Sequence, residues 1–498
     1  MAAAVGETSL APRGAAEWRN FTPPVISSSP DRWNFHEGNP YGIQVAVVGM
    51  GIMGPSGNNV PEFVNNVING KRVIEKKGFP EMPWLPELLV GEIRDFNPRK
   101  DLQGIILREH LPTYSRAQQI ELKPTFEALQ QAGLLEPYMK EMGLRGEIPL
   151  WRINEGIVNP TRVAVVYGTG IGGAVGASVA AYKEIQPREI NGRMWGDMPK
   201  QNHVLEALPA RGGPAVSMAF NAQGEMKTVL AECATGNESL QAGLDILRLD
   251  RADVVIVVNS EAAMEPVGVS LFSTLGVVSS DDPAHSPRAF DEGNSGFAFS
   301  EAAAVMVLEK LDHARARSAD VLAIFAGAGA AADAHHATSP RQDGRNAIDA
   351  MMKAVRDTGG PLPHTDIYVN AHATGTPRPR NQGEGALGAD EIEGNVIFHC
   401  LGEHTGRLRT SSTKTNTGHM LGAATLGEAV ISISAVFEHG VLPPTLNSHF
   451  PVPVGERIGL VRNEAIDGRD TGIIVDNGFG FGGHDASTAF FHRDLVNY

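Results

Sequence analysis

One thiol stands where chemistry could use it. Residues 229–240 read VLAECATGNESL and hold Cys233, one of only two cysteines in 498 residues. The stretch TVLAE before it reads as a strand. The stretch ATGNESLQAGLDILRL after it carries Leu240, Leu244, Ile246 and Leu247, so the spacing puts Cys233 at the start of a helix. There, unpaired N–H groups and the partial positive charge of the helix lower a thiol's pKa and can receive an oxyanion. Two histidines have similar settings. His372 ends IYVNAH ahead of ATGTP, and His419 lies in STKTNTGHMLGAA, five residues after Lys414. A thiol, two imidazoles at strand ends or Gly-rich turns, and a nearby ammonium fit acyl transfer. No short ligand-type spacing surrounds them, so no metal is expected. Cys400, in NVIFHCLG, reads as a buried, inert residue on a strand.

The elements that must position these groups follow an α/β pattern. Continuous apolar runs at VAVVGM (45–50), VAVVYG (163–168), TVLAEC (228–233), VVIVVNS (254–260), AAVMVLE (303–309), IYVNAH (367–372) and GIIVDN (472–477) indicate strands buried on both faces, alternating with helical patterns. VAVVGMGIMG and TVLAECATG in the first part match IYVNAHATG and GIIVDNGFGFGG in the second, each a strand ending in small residues, so two related halves are expected. Residues 1 to 43 lack periodicity and read as an N-terminal extension, followed by halves at 44–312 and 313–498.

Composition narrows the function classes. A formal charge of -15 argues against nonspecific nucleic-acid binding, and no run of about 18 strongly apolar residues suggests membrane insertion. Two cysteines in a chain of this size favour a reducing, cytoplasmic setting. GMGIMG (49–54) and GTGIGG (168–173) both satisfy a dinucleotide fingerprint after a strand. Pro55-Ser56-Gly57 puts a turn where the first would need its helix, and close backbone packing is the plainer reading.

Four long motifs in order carry a resemblance: ECATGN around Cys233, NAHATGTP around His372, SSTKTNTGHMLGAA around Lys414 and His419, and DNGFGFGGHDAS near the end. From about Val45 to Phe491 the chain resembles the elongating, Cys-His-His type of β-ketoacyl-acyl-carrier-protein synthase. The resemblance implies a thiolase-like α/β/α/β/α fold of two pseudo-duplicated halves and a decarboxylating condensation in fatty-acid or polyketide synthesis. By it, Cys233 takes an acyl group from the phosphopantetheine of an acyl carrier protein, and the amides of Cys233 and Phe481 form the oxyanion hole. His372 and His419 donate to a malonyl thioester, Lys414 and Glu428 support them, Phe481 gates the channels, and Gly170 and Ile171 floor an acyl pocket. The chain itself would bind no cofactor. A homodimer is implied, with a heterodimer of related subunits as the variant. An acyltransferase that loads Cys233 without decarboxylation and a non-catalytic partner subunit are the rival readings.

The chain departs from the family pattern in several places. Glu232 stands beside the nucleophile where a small residue is usual, and strand alternation points it away from the sulfur, toward the acyl pocket. The segment FDEGNSGF (290–297) has Asn294 and Ser295 in place of an Arg-Asp pair. Pro124 should kink the helix YSRAQQIELKPTFEAL, and RPRNQGEGALGA (378–389) inserts a loop after His372. Arg72, Lys76, Lys77, Arg378 and Arg380 are basic candidates for carrier-protein docking.

Overall fold

The computed structural model describes residues 43–142, 147–172, 208–358, 362–378, 385–404 and 406–496, with short pieces between 173 and 207. The expected extension before Ile43 therefore lies outside the described residues, as do Arg380 and much of the 378–389 insertion.

Ten strands form the central sheet: Val45–Met53 (β1), Val163–Gly168 (β2), Met226–Val229 (β3), Val254–Glu261 (β4), Ala302–Lys310 (β5), Ala323–Ala332 (β6), Asp366–Asn370 (β7), Leu408–Ser411 (β8), Thr471–Gly480 (β9) and His484–Phe491 (β10). Their order is β8-β7-β9-β10-β6-β1-β5-β4-β2-β3. It reads the same from either end. β1 pairs antiparallel with β5, β5 antiparallel with β4, and β4, β2 and β3 run parallel. β6, β10, β9, β7 and β8 repeat that sequence of senses. The halves meet at a short antiparallel seam, Val45–Val47 against Ala323–Phe325.

Helices complete the layers. Arg116–Gln131 (α1) covers β1, β4 and β5 on one outer side; Arg345–Asp357 (α3) covers β6 and β10 on the other, beside Ala389–Leu401 (α4). Between them, Thr235–Arg248 (α2) and Ala424–Ser432 (α5) pack on each other and on strands of both halves. This is the α/β/α/β/α arrangement. Leu421–Glu438, which contains α5, is long and apolar enough to cross a membrane, yet 89% of it is buried inside the protein as a core element.

Several elements depart from the sequence reading. Cys400 lies on α4, not a strand. Ile392, Val396, Ile397 and Leu401 recur at helical spacing and feed one apolar cluster with it, and a short apolar run cannot separate a buried helix from a strand. α1 stays one helix across Pro124, started by a Ser115–Gln118 capping box. Two of the GMGIMG glycines serve this helix. A Cβ at Gly49 would collide with the Ala128 carbonyl and one at Gly51 with the Pro124 carbonyl, so β1 and α1 approach backbone to backbone. At the lost Arg-Asp pair, Ser295 instead closes a triangle of hydroxyls with Ser279 and Ser286, at 3.1 and 3.2 Å.

α1 also buries Glu121 completely. Its Oε2 accepts the Ser260 hydroxyl at 2.7 Å, and its Oε1 has no partner among the described residues. Burial pushes this carboxyl up to about 8. An acid raised in the folded state binds its proton more tightly there than in the unfolded chain, so its cost is absent below about pH 4 and grows until pH passes 8. Glu121→Gln should therefore raise the unfolding temperature at pH 9 by about 2 °C or more, with the gain vanishing toward pH 5, in paired thermal melts.

Candidate active site

Cys233 sits at a sharp turn between β3 and α2. β3 ends at Val229, and Glu232 takes φ +49°, a left-handed conformation unusual for a residue with a side chain. A short 3-10 turn, Glu232–Ala234, then runs into α2. The Thr235 hydroxyl locks the turn, accepting the Ala231 amide at 3.0 Å and donating to the Glu232 carbonyl at 2.7 Å. Because the strand has already ended, alternation no longer governs Glu232. Its charge reaches the sulfur.

The electrostatics of Cys233 correct the sequence reading. Burial first, then Glu232, push the thiol up to about 12 against the pull of Lys414. The expected lowering by the helix start is overridden, and the resting group is a neutral thiol.

His419 comes from the other half, at the pseudo-equivalent position between β8 and α5. Its amide donates to the Ala298 carbonyl at 2.7 Å, and its carbonyl accepts the Ser300 amide at 3.1 Å. Gly418 before it, at φ +69°, fits beside Ser300 only without a side chain. So held, His419 Nε2 lies 3.0 Å from Cys233 Sγ. His372 follows β7, its ring centroid 5.5 Å from that of His419 and nearly perpendicular to it. Glu393 on α4 fixes this loop by accepting the amides of His372 and Ala373, each at 2.7 Å. Asp390, one turn earlier, accepts the Phe290 amide at 2.8 Å. Burial, and then the Lys414 charge, hold both imidazoles well below their ordinary range, so both are neutral.

That charge is itself buried. Lys414 Nζ lies 2.7 and 2.6 Å from the two Glu428 oxygens, both side chains fully enclosed. Burial raises the Glu428 carboxyl while Lys414 draws it back down.

Cys233, His372, His419 and Phe481 line one cavity of about 580 Å³, with Phe479 and Thr374 in its wall. Gly170, Ile171 and Glu232, expected at an acyl pocket, are not in its lining. Ile171 packs instead against the apolar cluster of Phe272, Phe297 and Leu421 that Phe481 also joins. The reason is Glu261, a residue the sequence reading missed. Its buried carboxylate accepts the amides of Gly170 at 2.9 Å, Ile171 at 3.2 Å, Gly172 at 2.6 Å and Gly422 at 3.2 Å. The chain's own carboxylate thus occupies the anion nest that a pyrophosphate would need. Burial raises Glu261 to about 7 despite these donors. A charged residue closing the strand VVIVVNSE was its only sequence signal.

One ligand atom each from Cys233, His372 and His419 lies within 4.8 Å of the others, a spacing that a soft cation could bridge. Among the described residues, neither Nδ1 atom has the outer partner that orients metal-bound imidazoles. Of the basic docking candidates, Arg72 is hydrogen-bonded to Asn447, Lys77 is paired with Glu92, and Arg378 is paired with Glu391.

Known proteins resemble the chain in sequence and in fold. The chain matches the profile "Beta-ketoacyl synthase, N-terminal domain" over residues 43–314 and "Beta-ketoacyl synthase, C-terminal domain" over 322–449. It is 30% identical to 3-oxoacyl-[acyl-carrier-protein] synthase 2 of Coxiella burnetii over 447 residues, 88% of this chain and 96% of that one. To the protein of the same name in Staphylococcus aureus it is 30% identical, over 90% of this chain and 98% of that one. Among solved structures, a β-ketoacyl synthase from Burkholderia phymatum superposes with TM-score 0.74 at 24% identity, covering 90% and 99% of the two chains. A type II polyketide ketosynthase in complex with its acyl-carrier protein also superposes with TM-score 0.74, at 22% identity, covering 91% and 100%.

A neutral thiol makes a testable statement. Alkylation of Cys233 by iodoacetamide should quicken about tenfold per pH unit between pH 6 and 9, following the thiolate fraction. Peptide mass spectrometry should find Cys400 unmodified until the protein unfolds. A pH-independent rate near neutrality would mean a resting thiolate.

Proposed function

This chain belongs to the β-ketoacyl synthase family, and from that premise we propose how its residues carry out the condensation. The enzyme is an acyltransferase that joins an acyl group to a malonyl-type thioester on an acyl carrier protein, giving a β-ketoacyl-carrier protein with loss of carbon dioxide. The observation that carries the residue assignment is the 3.0 Å contact of Cys233 Sγ with His419 Nε2, beside His372 in the same cavity.

Cys233 attacks the acyl thioester on the carrier's phosphopantetheine. The S–C bond to the enzyme forms, the bond to the carrier breaks, and the thiol proton passes to the departing carrier sulfur. The Cys233 and Phe481 amides receive the oxyanion. The malonyl thioester then enters, and neutral His372 and His419 donate hydrogen bonds to its carbonyl oxygen. Neutral donors stabilise the enolate without supplying the carbon with a proton. The carboxylate leaves as carbon dioxide, the enolate carbon attacks the acyl carbonyl, and the C–S bond to Cys233 breaks, the departing sulfur taking a proton from solvent. Lys414 acts behind the imidazoles by keeping them uncharged, Glu428 holds the Lys414 ammonium in place, and Phe481 gates the cavity.

The departures at Glu232, at Asn294 and Ser295, and at the 378–389 insertion support a specialised, polyketide-type pathway over housekeeping fatty-acid synthesis. A homodimer fits the exposed edge of the sheet. β3 ends the order of strands, and Met226, Leu230 and the neighbouring Met218 are about half exposed or more on that edge. An apolar sheet edge of this kind is a pairing surface for a second copy.

Intact-protein mass spectrometry with acyl-carrier proteins, followed by malonyl-carrier protein, tests the chemistry. Cys233 should acylate and discharge a lengthened chain, Cys233→Ala should not acylate, and His372→Ala should acylate but discharge at least about a hundredfold more slowly. Acylation without malonyl-driven discharge in the unaltered enzyme would favour the simple acyltransferase. For the assembly, Met226→Glu combined with Leu230→Glu should convert the dimer to monomer in sedimentation velocity; an unchanged sedimentation coefficient would place the interface elsewhere.

A further inference from the structure

Two carboxyl groups face the catalytic cavity with no cation paired to either among the described residues. Asp333 follows the end of β6 and Asp485 is the second residue of β10, and both line the cavity that holds Cys233. Backbone bonds from Gly482 N to Ala337 O and from Asp333 N to Gly483 O, each 2.8 Å, join the Phe481 turn to the loop after β6. Both carboxyls therefore sit beside the turn that carries Phe481.

Asp485 is only 7% exposed, yet among the described residues its side chain has no hydrogen-bond or ion-pair partner. Asp333 Oδ2 accepts the Arg341 amide at 3.0 Å, and its other oxygen has no donor among the described residues. The cations of the same wall are engaged elsewhere. The guanidinium of Arg341 binds Asp343 at 3.0 and 3.1 Å, Arg345 binds the same carboxylate, and Arg378 binds Glu391. Buried carboxyls are ordinarily hydrogen-bonded or paired. Here an enclosed one and a second beside it open on the space that substrate must enter, and burial first, then the Asp333 charge, push the Asp485 carboxyl up to about 8. Burial raises Asp333 and the Arg341 charge draws it back down, but no cation is paired with either carboxyl among the described residues.

We propose that Asp333 and Asp485 form a subsite for a protonated amino group, so that the enzyme favours acyl chains bearing an amine. The proposal rests on the condensing reading of the cavity. It concerns which acyl group is accepted rather than how it reacts. A neutral N–H donor on the carrier's arm would satisfy one oxygen but would not offset the Asp333 charge that acts on Asp485.

The test compares γ-aminobutanoyl with pentanoyl on one carrier protein, a pair differing by ammonium against methyl. The rate of Cys233 acylation is read by intact-protein mass spectrometry. The unaltered enzyme should prefer the amino chain by at least about tenfold, and Asp485→Asn and Asp333→Asn should each bring that ratio toward one. No preference in the unaltered enzyme, or variants that slow both substrates with the ratio intact, would overturn the proposal. Thermal melts identify a variant that has lost its fold, and Asp485→Glu, which keeps the charge, should retain part of the ratio. If neither chain acylates Cys233, the condensing reading fails. In that case calorimetry of γ-aminobutanoyl- and pentanoyl-pantetheine against Cys233→Ala still decides the subsite: stronger binding of the amine upholds it, and equal binding overturns it.

Discussion

Catalytic geometry depends on how near α2 comes to α5. A Cβ on Gly236 would strike the Leu426 amide and the Thr425 hydroxyl, so the first turns of the two helices touch only because that position is glycine. Thr425 then accepts the Asn237 amide at 3.0 Å, and Asn237 Nδ2 reaches the carbonyls of Asp476 and Ala486 in β9 and β10. Each helix begins just after a chemical group, Cys233 before one and His419 before the other. Their close approach is what turns two separate strand ends into one reactive pair.

Charge is arranged around that pair with one enclosed cation. Lys414 is the fully buried lysine beside the site, and it serves several groups at once: it draws down the Cys233 thiol, disfavours protonation of both imidazoles, and partly offsets the burial of Glu428, Glu393 and Asp476. Buried carboxyls outnumber it. Burial raises several of them toward the neutral acid, and the thiol and both imidazoles of the active centre are uncharged at rest beside one buried ion pair. In such surroundings a hydrogen bond to a developing enolate is worth more than it would be in water.

Much of this could be read from the sequence, for a physical reason. Strands buried on both faces and ending in small residues leave continuous apolar runs, so the two halves and the settings of Cys233, His372 and His419 are legible in the sequence. What stayed hidden depends on where the backbone leaves a regular element. Glu232 was placed by strand alternation, but the strand had already ended at Val229 and the turn had rotated the residue. Cys400 sits in a run too short to distinguish helix from strand. Glu261 is held by backbone amides, which every residue carries, so no side-chain pattern announces it. Asp333 and Asp485 become neighbours only when β6 pairs with β10.

The division of the active site between the two halves has a consequence for how the chain becomes an enzyme. Cys233 and His419 are separated by 186 residues, and the contact between them requires both halves of the central sheet and both central helices to be in place. Contacts so distant along a chain form late, since the entropy of closing the intervening loop must be met before they contribute. A nascent or half-folded chain would hold a thiol without its imidazoles. Reactivity toward thioesters therefore arrives with the native topology itself, and an incomplete molecule in the cell would draw no acyl groups away from the carrier.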